Sequence, residues 1–225
     1  MAIREKYTER RDPPLTITLP GRSYEPVMLA DAGYERIAVG LMILRRNQSE
    51  GIEVLMGKHR GSERSEEESG RWSWLAETVY PSELHGNIAH VLARLVPEEM
   101  DRGLVDLQLL GRDDSIQEVD LVKEGRRHMV PIYVFATSQD LAGPLGESEE
   151  IEELGWFPLE PLIAGQVDES NPVREFTVSG FQQLAEKGVF HPTRFPTSAV
   201  VIPPEFQVNG YKDSRSADLT KFRSK

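Results

Sequence analysis

The chain of 225 residues contains no cysteine. Disulfides, a thiolate nucleophile and cysteine-ligated zinc are excluded together. It also lacks any run near the roughly 20 apolar residues that a membrane-spanning helix needs. Its charged opening, Met1 to Arg11, is followed by no apolar stretch of the kind a secretory leader carries, so a cytoplasmic location without membrane attachment is expected. Positive charge is the third shortage, with 26 Lys and Arg against 37 Asp and Glu and a net charge of −11. Duplex binding rests on neutralising phosphates, and general nucleic-acid binding is not expected.

What is present is ordinary for a folded domain: 39% hydrophobic and 28% charged residues, at a length that suits one sizeable unit. The acidic excess is concentrated in Ser62 to Glu68 (SERSEEE) and Glu147 to Glu153 (ESEEIEE), whereas the last fifteen residues carry five Lys or Arg against two Asp. Both acidic runs read as solvated loops.

Along the chain, residues 1–26 hold Pro13, Pro14, Pro20 and Gly21 around one alternating stretch, Leu15 to Leu19, and read as an arm that adds a strand or reaches a partner subunit. Arg36 to Leu44 (RIAVGLMIL) is a continuous apolar run, the mark of a strand buried on both faces. Ile52 to Met56 answers it across the turn-forming Asn47 to Gly51, which predicts a hairpin. After an acidic loop and the strand Trp72-Ser73-Trp74-Leu75, the period changes. Ile88, Val91, Leu92, Leu95 and Val96 share one helical face, which predicts a helix from an N-cap at Ser82 to Val96, ended by Pro97. Val105 to Leu110 and Met129 to Ala136 read as strands separated by a polar segment, with Pro131 marking the second as an edge or a bulge. Leu154 to Phe157 is a short strand. Pro172 to Lys187 reads as a closing helix with Phe176, Phe181 and Leu184 inward. Strands interleaved with a central and a late helix give a mixed α/β or α+β sandwich, organised as an arm (1–26), a main domain (27–190) and a C-terminal extension (191–225).

Three stretches, "RIAVGLMIL…IEVLMGKHRG", "GRWSWLAETVYPSE" and "HMVPIYVFATSQD…ESEEIEELGWFPLEPL", carry a resemblance to the Nudix superfamily. The last is the most specific, with Glu150, Glu153 and Trp156 at spacings of three ahead of an apolar-Pro-Leu run. The resemblance implies a mixed β-sheet sandwiched between helices. It also implies a metal-binding box of Gly, five residues, Glu, seven residues and then Arg-Glu-apolar-any-Glu-Glu, whose glutamates hold divalent metals on a diphosphate. This sequence departs from that box. Counted from Glu83, the glycine position is Glu77, and Val91, Leu92, Leu95 and Val96 fall on the arginine and ligand positions. A second register places Arg94, Val96, Glu98 and Glu99 on Arg, apolar, Glu and Glu, at the expense of about three extra residues, Leu95 in place of the leading glutamate and Pro97 inside the helix, which costs about 3 kcal/mol.

Mg2+ and Mn2+ take oxygen ligands, and Leu and Val offer none. The leading expectation is therefore a degenerate Nudix-like protein that binds a nucleotide-like or phosphorylated ligand, or a protein partner, without cleaving it and without a cofactor. Its candidate ligand residues are Trp74, Arg94, Arg126 and Arg127. The rival is a divergent hydrolase with Mg2+ or Mn2+ on Glu98 and Glu99, assisted by Glu83 or Glu150. A third reading is a structural subunit, or a homodimer, gripped through the arm and the basic tail. Trp72 and Trp74 face one side of a strand, where core packing competes with base stacking. His85 and His90, five apart, fall on different sides of a helix and read as polar surface rather than ligands. His128 follows Arg126 and Arg127 at a strand entrance that a phosphate would fit, with a solvated strand end as the plainer reading.

Overall fold

A computed structural model describes residues 22–47, 49, 51–60, 69–84, 86–100, 108–109, 116–137, 140–146, 148, 150–166, 168–190 and 217–223. The expected strand at Leu15 to Leu19 and the acidic run 62–68 lie outside them. So do His85 and the side chain of Glu98.

Among the described residues, one nine-stranded mixed sheet forms the centre. Its longest members are β1 (Arg36–Arg46), β2 (Ile52–His59), β6 (Ile116–Lys123), β7 (Arg126–Ala136) and β9 (Ile151–Pro158). The path runs β5 (Gln108–Leu109), β7, β1, β2, β9, β8 (Gly143–Pro144); β3 (Trp72–Ser73) pairs with β2, β4 (Leu75–Thr78) with β1, and β6 with β7. β1 and β7 are parallel, and the other pairs are antiparallel. The hairpin of β1 and β2 is as expected, with Leu44 opposite Val54. Along β1 the side chains alternate between two cores. Ile37, Val39, Leu41 and Ile43 point into one, and Ala38, Met42 and Leu44 into the other, which is why the run from Ile37 to Leu44 carries no polar side chain.

Helices cover each face. α1 (Pro26–Asp31) and α2 (Ala89–Met100) lie on the first, and α3 (Leu159–Ile163) and α4 (Glu175–Glu186) on the second. No helix among the described residues is long and apolar enough to cross a membrane. The central helix is shifted by several residues from its expected span. Ser82 sits in an exposed turn, and the side chain of Asn87 accepts the Ala89 N–H at 2.9 Å. Pro97 does not end α2, because Glu99 and Met100 beyond it are buried; that packing offsets the missing N–H.

Two strands depart from expectation for identifiable reasons. β7 is central rather than an edge despite Pro131. Its ladder with β1 pairs Ile37 with Met129 and resumes at Gly40 and Ile132, so the interruption falls where the proline has no N–H to donate. β6 replaces what reads as a polar segment, turning into β7 through Glu124 and Gly125 at φ 52° and 71°. Its Val119 and Leu121 face the second core, while Glu118 and Asp120 meet polar partners on the first face.

The second core is pinned by Trp74, which meets the ring of Phe181 edge-on at 5.3 Å and is 1% exposed. Gly180 lets α4 approach it: a Cβ there would stand 1.9 Å from Trp74 Cη2. At the end of β2, His59 Nε2 lies 2.7 Å from the Ser73 hydroxyl, and burial, reinforced by Arg174 and Lys123, pushes its pKa down to about 3.

Gly180→Ala, which in an exposed helix adds about 0.5–1 kcal/mol of stability, is expected here to lower it by about 1–3 kcal/mol through overpacking; the urea midpoint reads the sign. His59 contributes a pH dependence. Because the folded state holds it neutral, stability is full above the unfolded histidine value near 6.5 and falls as pH drops from there toward 3, at up to about 1.4 kcal/mol per pH unit. Urea titrations at pH 7 and pH 5 are expected to show a smaller loss for His59→Gln than for the native chain; equal losses would remove His59 from the account.

Candidate functional site

The stretch from β4 to α2 builds the most charged buried place among the described residues. Glu77 stands opposite Val39 and so faces α2, and the Val79 N–H bonds to the Ile37 carbonyl at 3.2 Å, holding the chain against β1 as it leaves the sheet. A turn then carries Glu83 back, its carboxylate accepting the Tyr80 N–H at 2.7 Å. Arg94 enters from α2. Its guanidinium reaches Glu77 at 2.9 Å, Glu83 at 3.2 Å and the Thr78 carbonyl at 2.7 Å, and it stacks 3.9 Å from the centre of the Tyr80 ring. All three charged side chains are nearly sealed, at 8%, 12% and 11% exposure for Arg94, Glu77 and Glu83. Burial alone would favour discharging Arg94, but Glu77 and Glu83 outweigh it and hold the pKa above the ordinary guanidinium value. Two carboxylates, a carbonyl and a ring face thus engage one cation.

The expected site residues are dispersed. Glu83 belongs to this cluster, and Arg94 is its centre instead of a side chain free to meet a ligand. Glu99 is buried at 2% exposure near the end of α2. Glu150 is exposed ahead of β9, its carbonyl accepting the Arg60 N–H at 2.8 Å. Trp74 is no stacking platform, because it is sealed under α4. Arg127 is held at the start of β7 by both oxygens of Asp120 and by the Ala32 carbonyl at 2.8 Å, over the ring of Tyr34. Arg126 is exposed beside it, and His90 is exposed on α2.

Arg94 is the side chain of α2 that meets Glu83, and Val91 and Leu92 are buried apolar packing. For a divalent cation the described donors fit poorly. Leu95 is fully buried in the core, Glu83 is engaged by Arg94, and among the described residues no group of three His, Cys, Asp or Glu side chains converges.

Sequence reasoning missed Tyr80 and the Thr78 carbonyl as partners of Arg94. The available signal was one arginine inside an apolar stripe, which must be neutralised if the stripe is buried. It also missed a second cluster on the same face, where Arg45 lies 4.2 Å above the Trp156 ring, pairs with Glu53 at 2.7 Å, and shares Asp140 with the Trp156 indole N–H, which donates at 3.0 Å.

Replacing Arg94 with Met strands two buried carboxylates, a change expected to cost about 3–5 kcal/mol and to lower Tm by roughly 6–20 °C for a chain of this size. Adding Glu77→Gln and Glu83→Gln to Arg94→Met is expected to recover most of that loss. A calorimetric Tm for the triple variant no higher than for Arg94→Met would show that the cluster is not balanced by charge.

No protein-family model matches the chain, and no curated protein matches it. Among solved structures it is similar to the NUDIX domain of Shewanella oneidensis NrtR complexed with ADP ribose, at 11% identity and TM-score 0.47 over 73% of this chain and 93% of that one. It is likewise similar to a C. elegans Ap4A hydrolase, at 17% identity and TM-score 0.45 over 68% and 98% of the two chains. A MutT protein from Methanosarcina mazei gives 16% and 0.47 over 69% and 96%. These are likenesses of fold alone.

Proposed function

We propose that the chain binds a phosphorylated, nucleotide-like ligand and does not cleave it through a divalent metal. The observation that supports the second half is Leu95, which falls on a glutamate position in both registers and is fully buried in the core, together with the commitment of Glu83 to Arg94. A transition state that needs a metal to offset phosphate charge loses about tenfold in rate for each 1.36 kcal/mol removed. Arg126, exposed at the start of β7, is the cation assigned to the ligand's phosphates, because Arg127 is already bidentate on Asp120.

Thermal unfolding with ADP-ribose, a ligand of one of the similar structures, tests this. At a hundredfold excess over Kd, binding stabilises by about 2.7 kcal/mol, a rise of roughly 5–10 °C for a chain of this size. The rise is expected with EDTA as with Mg2+, and expected to shrink for Arg126→Ala. Magnesium-dependent phosphate release that disappears in the Glu98→Gln, Glu99→Gln double variant would replace this reading with the hydrolase. No shift with ADP-ribose, ADP or ATP would leave binding to a protein partner in its place.

A further inference from the structure

Among the described residues, the segment 217–223 reaches the core through Ala217, Leu219 and Phe222. Ala217 and Leu219 are both fully buried and belong to the cluster beneath α2. The Ala217 N–H donates to the Val79 carbonyl at 2.9 Å, and the Leu219 N–H to the Glu35 carbonyl at 3.0 Å. Between them Asp218 meets Arg36 at 2.9 Å and caps a single 3-10 turn, Leu219–Phe222, by accepting from the Thr220 N–H at 3.1 Å and its hydroxyl at 2.7 Å. That turn packs on α1, and Phe222 lies against the same core. The segment therefore bridges α1, the entrance of β1 and the exit of β4.

Val79 is the place where this matters. Its neighbour Thr78 supplies the carbonyl that holds Arg94, and Tyr80 on the other side supplies the ring beneath Arg94 and the N–H that fixes Glu83. We propose that residues 217–223 are a docked strap, an in-chain peptide ligand of the groove between α1 and Val79, whose seating holds the Thr78–Glu83 turn and with it the Arg94 cluster. The peptide that fits the groove is a small residue, an acid for Arg36 and a leucine, in that order. Among the described contacts the strap meets Arg36, Glu35 and Val79 and not Arg126, the residue assigned to the ligand, so it stands or falls apart from ligand binding.

Hydrogen exchange on the full chain tests it. In Leu219→Asp, amide exchange at Val79, Tyr80, Glu83 and Leu84 is expected to rise at least tenfold, while Ile132 and Val134 in the middle of β7 keep their native protection. A synthetic peptide of residues 215–225 added in trans is expected to restore protection at Val79 to Leu84, and the same peptide carrying Leu219→Asp is expected not to. Unchanged exchange at Val79 to Leu84 overturns the proposal. So does a uniform rise that includes β7, since Leu219 would then be ordinary core. Should Leu219→Asp fail to fold, Asp218→Ala with Thr220→Ala removes the polar seating alone and is read by the same pattern.

Discussion

A strand that is apolar on both faces must be covered on both. β1 imposes that constraint, and the other elements satisfy it: α2, α1 and the strap on one side, α3 and α4 on the other. Its two edges are filled as well. β7 runs along one, while β4 and β2 divide the other, taking Ala38 to Leu41 and Leu44 to Arg46. Dividing that edge frees the chain after β4 to leave the sheet beneath α2, and the charged cluster is built where it leaves. The site is thus a by-product of how β1 is enclosed.

Enclosing Arg94 there reverses the usual logic of a buried charge. Alone, a guanidinium at this depth would cost several kcal/mol of lost solvation. With Glu77 and Glu83 on either side the cation becomes the element that orders the turn, because both carboxylates and the Thr78 carbonyl must converge on one planar donor. Val91, Leu92, Leu95, Val96 and Met100 alone would let the helix slide on a smooth sheet; the hydrogen bonds of Arg94 fix its position. Arg45 is confined in the same way, by the Trp156 ring and the carboxylates of Glu53 and Asp140 on the sheet's first face.

The parts of this arrangement that follow from local pattern were legible. The apolar run of β1 and the 3.6-residue stripe of α2 identify their elements, because burial on two faces and burial on one helical face leave different periods. What failed had a tertiary cause. β6 looks polar because its first-face residues, Glu118 and Asp120, meet Tyr24 from a distant segment and Arg127 across the hairpin. α2 begins later than its serine suggests, because the residues before it serve Arg94 instead of continuing the helix. Pro131 sits in a strand paired on both sides, by β1 and β6, instead of at an edge, and Pro97 lies inside a helix it would be expected to end. That Arg94 would meet Glu83 and Glu77 was likewise out of reach, because the three converge only through the turn between β4 and α2.

The parallel pairing of β1 with β7 has a consequence for how the chain is made. Arg36 waits for His128, roughly 90 residues later, while β2 pairs with β1 almost at once across a short turn. At about 5–20 residues per second, a hairpin apolar on both faces spends on the order of 3–15 s on the ribosome without the strand that will occupy its open side. Long-range pairing of this kind is intrinsically slow to form, and an unpaired apolar edge is a template for other chains. The interval between translating β2 and translating β7 is therefore the stage at which a chaperone has most to do, and a slower ribosome lengthens it.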